Sequence, residues 1–183
     1  MDVRPVSDSI RARASAVRLL ACDVDGVLTD GKLQFYQGSD GVLEGKSFSI
    51  LDGFGVKLLQ QTGVVVALIT GRSSDIVARR ALEMGVLHVA QGVSDKKAAW
   101  RDLLAELALA PEQSAYIGDD WPDLAVIRGC GLGITVPNAP ELLRRHAHYV
   151  TSAAGGAGAV REACELIMTA QGTLARSIEE WLQ

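Results

Sequence analysis

Cysteine is scarce: the 183 residues carry three, Cys22, Cys130 and Cys164. An odd number without Cys-x-x-Cys spacing argues against a disulfide framework or a zinc knuckle, and reads as small buried hydrophobes in a reducing compartment. Long apolar runs are missing too, the longest, Val64 to Ile69, being far too short to cross a bilayer. The start of the chain, with Asp2, Arg4, Asp8, Arg11 and Arg13, has no apolar core of a signal peptide. Positive charge is not in surplus. A net charge of -4 argues against nucleic acid or an anionic membrane as a partner. Histidine is rare, and His88, His146 and His148 lack metal-ligand spacing. These absences leave a cytoplasmic soluble protein, expected to form one domain over residues 1–183 around a sizeable core.

What the chain does have is an apolar run, Val17 to Cys22 with one Arg, that stops abruptly at Asp23-Val24-Asp25-Gly26. This reads as a buried strand running out into a loop, and residues two apart on an extended chain point the same way. Asp23 and Asp25 can therefore face one cleft. Close carboxylates repel, so they call for a proton, a cation or both, and a hard ion such as Mg²⁺ suits oxygen-only ligands.

Beyond Asp30, two β-leaning runs flank Gln37-Gly38-Ser39-Asp40-Gly41 and predict a hairpin over about residues 31–50, placed to act as a lid or an association surface. Phe35, Tyr36 and Phe48 on it would want a partner. Asp52-Gly53-Phe54-Gly55 opens a helix that ends at Gly63. Val64 to Ile69 reads as a central strand buried on both faces, followed by Thr70-Gly71-Arg72. Ser73 or Ser74 caps the next helix, with Ile76, Val77, Ala81 and Leu82 at helical spacing up to Met84-Gly85.

Val86 to Val89 is a short strand. Ser94 or Asp95 caps a helix from Lys96 with Trp100, Leu103, Leu104 and Leu107 as its apolar stripe. Ala115-Tyr116-Ile117 is a strand ending at Gly118-Asp119-Asp120, and Pro122 opens the following helical turn. A strand over 133–136, a helix over 140–146 with Asn138 and Glu141 as its capping box, a strand at Tyr149-Val150 and a helix over 159–170 complete the series. Residues 172–183 form a tail or arm. The alternation predicts an α/β fold: three layers, a doubly wound, mostly parallel Rossmann-like sheet with a hairpin flap after its first strand and no large cap domain.

In such a sheet ligands bind at the carboxyl edge. Asp23, Asp25, Thr70, Lys96, Asp119 and Asp120 all fall at strand ends or helix starts, and they converge if these share that edge of one sheet. Acids for a divalent cation, with a hydroxyl and an ammonium for phosphoryl oxygens, are the parts of a phosphoryl-transfer site.

These spacings carry a resemblance. Asp23-x-Asp25-Gly26-Val27, then Leu68-Ile69-Thr70-Gly71-Arg72, then Lys96, then Gly118-Asp119-Asp120-x-x-Asp123 is similar in kind and order to the haloacid dehalogenase superfamily of phosphatases, over residues 17–136. Phe48-x-x-x-Asp52-Gly53-x-Gly55, Gln91-Gly92-x-x-Asp95-Lys96 and the stretch from Tyr149 to Glu162 resemble, within it, the branch acting on 3-deoxy-D-manno-octulosonate 8-phosphate (KDO 8-phosphate). The resemblance implies Asp23 as nucleophile, forming an aspartyl-phosphate, and Asp25 as general acid and base. It implies Mg²⁺ held by the Asp23 carboxylate, the Asp25 carbonyl and Asp119, with Asp120 and Asp123 behind them. Thr70 and Lys96 would hold the phosphoryl group. Ser49, Ile50, Leu51, Asp52, Gly53 and Lys57 would surround the sugar, and Arg72 and Arg80 would meet its carboxylate. A homotetramer joined through the hairpin flaps, each covering a neighbour's site, is also implied.

Two positions depart from the family pattern: Pro122 where relatives often carry Asn, and Leu51 where they often carry Arg. Both bear on the sugar rather than on the phosphoryl chemistry. The competing readings are a phosphatase for another acidic sugar phosphate, of the sialic-acid or KDN 9-phosphate type, and, in a different class, a receiver-like signalling module or an inactive scaffold.

Overall fold

The computed structural model describes residues 6–39 and 41–179. Asp40 of the hairpin turn and the tail residues beyond 179 lie outside them. Six short apolar runs form one sheet: β1 (Leu19–Cys22), β4 (Val65–Ile69), β5 (His88–Ala90), β6 (Ser114–Gly118), β7 (Leu132–Thr135) and β8 (Tyr149–Val150). Its order is β5-β4-β1-β6-β7-β8, and every neighbouring pair is parallel. β1, β6 and β7 are buried along their whole length, as apolar strands covered on both faces must be.

A separate antiparallel hairpin, β2 (Gln34–Gly38) and β3 (Gly41–Gly45), follows β1, as the sequence predicts. Its second strand is shorter than expected. Residues 46–49 leave the ladder because Ser49 already caps α2 (Ile50–Gln61), its hydroxyl accepting from Leu51 N at 3.2 Å. The helix therefore starts ahead of Asp52.

α2 packs on α7 (Ala159–Ala170) and α3 (Asp75–Met84), with α1 (Asp8–Ser15) also against α7. α4 (Lys96–Glu106), α5 (Leu124–Ile127) and α6 (Glu141–His146) form a second packed group, and α8 (Leu174–Ile178) lies within the tail, against α7. In α3 the inward stripe is Val77, Ala81 and Met84. Leu82, expected on that stripe, faces solvent, because the stripe advances by four and three residues and leaves position 82 on the outer side. The capping box expected at Asn138 is not formed: Pro140 holds the N-cap position and makes no side-chain cap bond.

With β1 in the middle, chain order along the sheet runs outward on both sides, through β4 to β5 and through β6 to β8. The direction of winding reverses between β1 and β6. Loops leaving the carboxyl ends of these two strands diverge there and open a crevice.

Candidate active site

Asp23 follows β1 directly, its amide donating to Ile117 O of β6 at 2.9 Å. This bond continues the β1–β6 ladder and fixes the side chain at the crevice. Asp119 follows β6. Its approach depends on Gly26, which has φ +88°: a Cβ there would stand 1.9 Å from Asp119 Oδ2. Gly118 serves Asp123 in the same way, since an added Cβ would meet the Asp123 side chain at 2.4 Å.

Lys96, the first residue of α4, is buried, and its ammonium lies 2.8 Å from Asp23 Oδ2 and 2.7 Å from Asp123 Oδ1. Asp123 Oδ1 also accepts from the Tyr116 hydroxyl at 2.6 Å, and Oδ2 accepts from the amides of Asp119 and Asp120 at 3.1 and 3.2 Å. Both oxygens of Asp123 are thus engaged within the protein. Asp120 is exposed, and its carboxylate caps the 3-10 turn 121–123 by accepting from Trp121 N.

Carboxylate oxygens of Asp23, Asp119 and Asp123 lie within 4.8 Å of one another. Against these three charges stands one ammonium. Burial, then Asp123, pushes the Asp23 carboxyl up to about 6, with Lys96 opposing. Burial, then Asp23 and Asp123, pushes Asp119 up to about 7. Burial works against the charge on Lys96, yet the two aspartates outweigh it and hold the ammonium above its usual range. An unrelieved negative surplus of oxygen donors is the signature of a site for a hard cation.

Asp25 sits on the other wall. Its Oδ1 is ion-paired with Lys46, whose side chain is 1% exposed, while Oδ2 is buried without a hydrogen-bond partner, Arg72 Nε standing 3.8 Å away. Glu44, from β3, accepts from Arg72 Nη2 at 3.1 Å and lies 3.3 Å from Lys46 Nζ. Burial opposes its charge, but Lys46 and Arg72 hold the Glu44 carboxyl below its ordinary range. Thr70, at the end of β4, is buried at the cleft floor. The cleft, of about 410 Å³, is lined by Asp23, Asp25, Thr70, Arg72, Lys96, Asp119, Asp120 and Asp123, together with Gly71, Val93, Ser94 and Pro122. That volume suits a sugar phosphate.

Other residues expected around the sugar do not line this cleft. Ser49 is the cap of α2, and Ile50 and Leu51 at its start point into solvent. Asp52 is buried, with its carboxylate accepting from the amides of Arg161 at 2.8 Å and Gly158 at 3.3 Å, which ties α2 to the start of α7. Gly53 lies beneath Arg80, whose Nη2 donates to Ser49 O at 3.0 Å, and Lys57 is exposed. Phe48, expected to be exposed on the hairpin, is instead partly buried against the core, with the Arg80 guanidinium 5.8 Å from its ring centre.

Three residues enter the site without having been anticipated: Lys46, Glu44 and Tyr116. Tyr116 alternates correctly along β6 to reach Asp123, a signal that was readable. Lys46 and Glu44 depend on how the hairpin folds back, which no local pattern encodes.

Comparison with known proteins identifies the family and the fold. A haloacid dehalogenase-like hydrolase family model matches residues 74–162. The 3-deoxy-D-manno-octulosonate 8-phosphate phosphatase KdsC of Yersinia pestis is 48% identical over 93% of this chain and 89% of that protein. The chain belongs to this phosphatase family. Among solved structures, a probable YrbI family phosphatase from Pseudomonas syringae superposes with a TM-score of 0.92 at 50% identity, covering 97% of this chain and 99% of that one. The Moraxella catarrhalis 3-deoxy-D-manno-octulosonate 8-phosphate phosphatase, solved with magnesium ion, phosphate ion and KDO, superposes with a TM-score of 0.91 at 44% identity, covering 96% of this chain and 99% of that one. The parallel sheet flanked by helices and the separate hairpin are thus those of a haloacid dehalogenase-like phosphatase. Among the described residues no helix is long and apolar enough to cross a membrane.

Proposed function

We propose that this phosphatase hydrolyses KDO 8-phosphate to KDO and inorganic phosphate with Mg²⁺, in the cytoplasm, as a step of lipopolysaccharide precursor synthesis. One observation carries the reading: Asp23 and Asp119, from different strands, share a cleft with Lys96 at 2.8 Å from Asp23. The donors fit Mg²⁺, being carboxylate oxygens whose raised pKa values a divalent cation would relieve. Asp23, the Asp25 carbonyl and Asp119 would hold the ion, and Asp123, locked by Lys96, Tyr116 and two amides, would orient Asp119 from behind with Asp120 beside it. When bound, the ion neutralises charge on the phosphoryl oxygens.

The chain's own groups carry the steps. The Asp23 carboxylate attacks phosphorus and the bond to the sugar oxygen breaks, that oxygen taking a proton from Asp25. Asp25, now a carboxylate, removes a proton from water, whose oxygen attacks the phosphorus of the aspartyl-phosphate and restores Asp23. Lys96 and Thr70 hold the phosphoryl oxygens as charge moves. Arg72, at the rim beside Asp25, receives the sugar's carboxylate.

Residues 1–183 act as one domain in this reading, and four copies associate through their flaps. Phe35, Tyr36, Val42 and Leu43 support the assembly, since they expose apolar surface on both faces of the hairpin. Ser49 to Gly53, Lys57 and Arg80 contribute sugar contacts in that assembled state.

Steady-state phosphate release from KDO 8-phosphate, KDN 9-phosphate and neutral sugar phosphates, with and without Mg²⁺, tests the assignment. The expected result is Mg²⁺-dependent turnover with the highest kcat/KM on KDO 8-phosphate. Equal turnover of generic phosphate esters would remove the narrow assignment.

A further inference from the structure

Four charged groups form a closed network at the rim of the cleft. Lys46 bridges Asp25 and Glu44, and Arg72 stands between the same two carboxylates, 3.1 Å from Glu44 and 3.8 Å from Asp25. A substrate carboxylate arriving at Arg72 would meet the Glu44 carboxylate already paired with that guanidinium at 3.1 Å, and two carboxylates on one guanidinium repel unless Glu44 withdraws. Glu44 can withdraw: it is on β3, and among the described residues the hairpin's strands pair with each other and with no strand of the main sheet.

We infer that Glu44 is an internal stand-in for the substrate's carboxylate, occupying Arg72 until an acidic sugar phosphate displaces it. The inference deepens the functional reading above and rests on its assignment of Arg72. Arg72 is 46% exposed at its side chain, so its other guanidinium donors are reachable from solvent. An arriving carboxylate takes the guanidinium as a paired ligand. Glu44 keeps Lys46 as its partner when it lets go, so the exchange strands no buried charge. Selectivity follows from the exchange, because only a ligand with its own carboxylate can replace the one it removes. A neutral sugar phosphate gains nothing at Arg72 and leaves Glu44 in place.

Glu44→Gln keeps the shape and removes the charge. Removal of the competitor is expected to lower KM for KDO 8-phosphate about fivefold, the upper range for a partly exposed ion pair. kcat should move little, and KM for ribose 5-phosphate should not move. In an Arg72→Ala background the Glu44→Gln effect should vanish. A raised KM for KDO 8-phosphate would mean that Glu44 orients Arg72, and would overturn the inference. Equal improvement on ribose 5-phosphate, or an effect persisting without Arg72, would overturn it as well. The functional reading fails separately, when the wild-type enzyme shows no preference for KDO 8-phosphate. In that event calorimetric titration of KDO itself decides: tighter binding to Glu44→Gln than to wild type supports the stand-in, and the same or weaker binding, or none to either, refutes it.

Discussion

At the carboxyl edge of β1 and β6, charged side chains are buried and each of Asp23, Lys96 and Asp123 is held by partners from another segment. The hairpin a few residues away is built the other way. Phe35 is 62% exposed, Tyr36, Val42 and Leu43 are similarly open, and the ladder pairs only β2 with β3. A buried polar network of this kind is rigid, because removing any partner strands a desolvated charge. A two-stranded ribbon with apolar faces in water is marginal alone and invites association. The edge thus holds its charged groups in place, while the hairpin leaves apolar surface open to a partner.

The largest effect lies at the edge. Asp23→Asn should lower kcat by on the order of 10³-fold or more while circular dichroism stays native, because it replaces the attacking carboxylate by an uncharged amide and changes little packing. Deamidation back to Asp must be excluded by mass spectrometry. Appreciable turnover by a verified Asn variant would remove the nucleophile assignment. Next comes Lys96→Met, which leaves Asp23 and Asp123 without their cation. It should reduce kcat about 10²-fold or more, and in chelator it should cost about 3 kcal/mol of stability by urea titration. A loss no larger than that of an exposed lysine would show that the edge is less tightly coupled than its distances suggest.

Metal linkage sharpens the comparison through pH. In the folded, metal-free protein burial and neighbouring acids push the Asp23 carboxyl up to about 6 and that of Asp119 up to about 7, against the ordinary aspartate value of 3.8. Both values are raised, so their contribution to stability is full below about pH 4 and is lost as pH rises through 6 to 7. Mg²⁺ bound by these two acids would relieve that loss. The rise in Tm on saturating Mg²⁺ should therefore be small at pH 5.5 and reach on the order of 5 °C at pH 8. A rise that does not change with pH would contradict the assignment of these two acids to the metal. The smallest effect on folding belongs to the hairpin: Phe35→Ser with Leu43→Ser should shift the unfolding free energy of a single chain by no more than about 0.5 kcal/mol. The same pair should lower the sedimenting mass, if the flaps join four copies. A wild-type monomer would dissolve that half of the comparison.

Much of the edge was legible in the sequence, because it rests on local signals. Apolar runs ending in Asp or Thr give both a strand and the position of its functional residue, and Asp95 capping α4 through Ala98 N places Lys96 at a helix start. Asp52 shows where such reading stops. The family resemblance implied a sugar contact for it, and nothing local in the sequence showed that its carboxylate accepts from the amides that open α7. Likewise Glu44 and Lys46 look like ordinary polar residues of an exposed ribbon. Their roles arise when the ribbon folds back over Asp25, a contact between segments about 20 residues apart that has no periodic signature.

The steric course at phosphorus tests the central claim most directly. With a phosphoryl group made chiral by oxygen isotopes, transfer first to Asp23 and then to water involves two in-line displacements, and the account predicts net retention of configuration in the released phosphate. Inversion would mean that water attacks the sugar phosphate directly, and would contradict Asp23 as nucleophile.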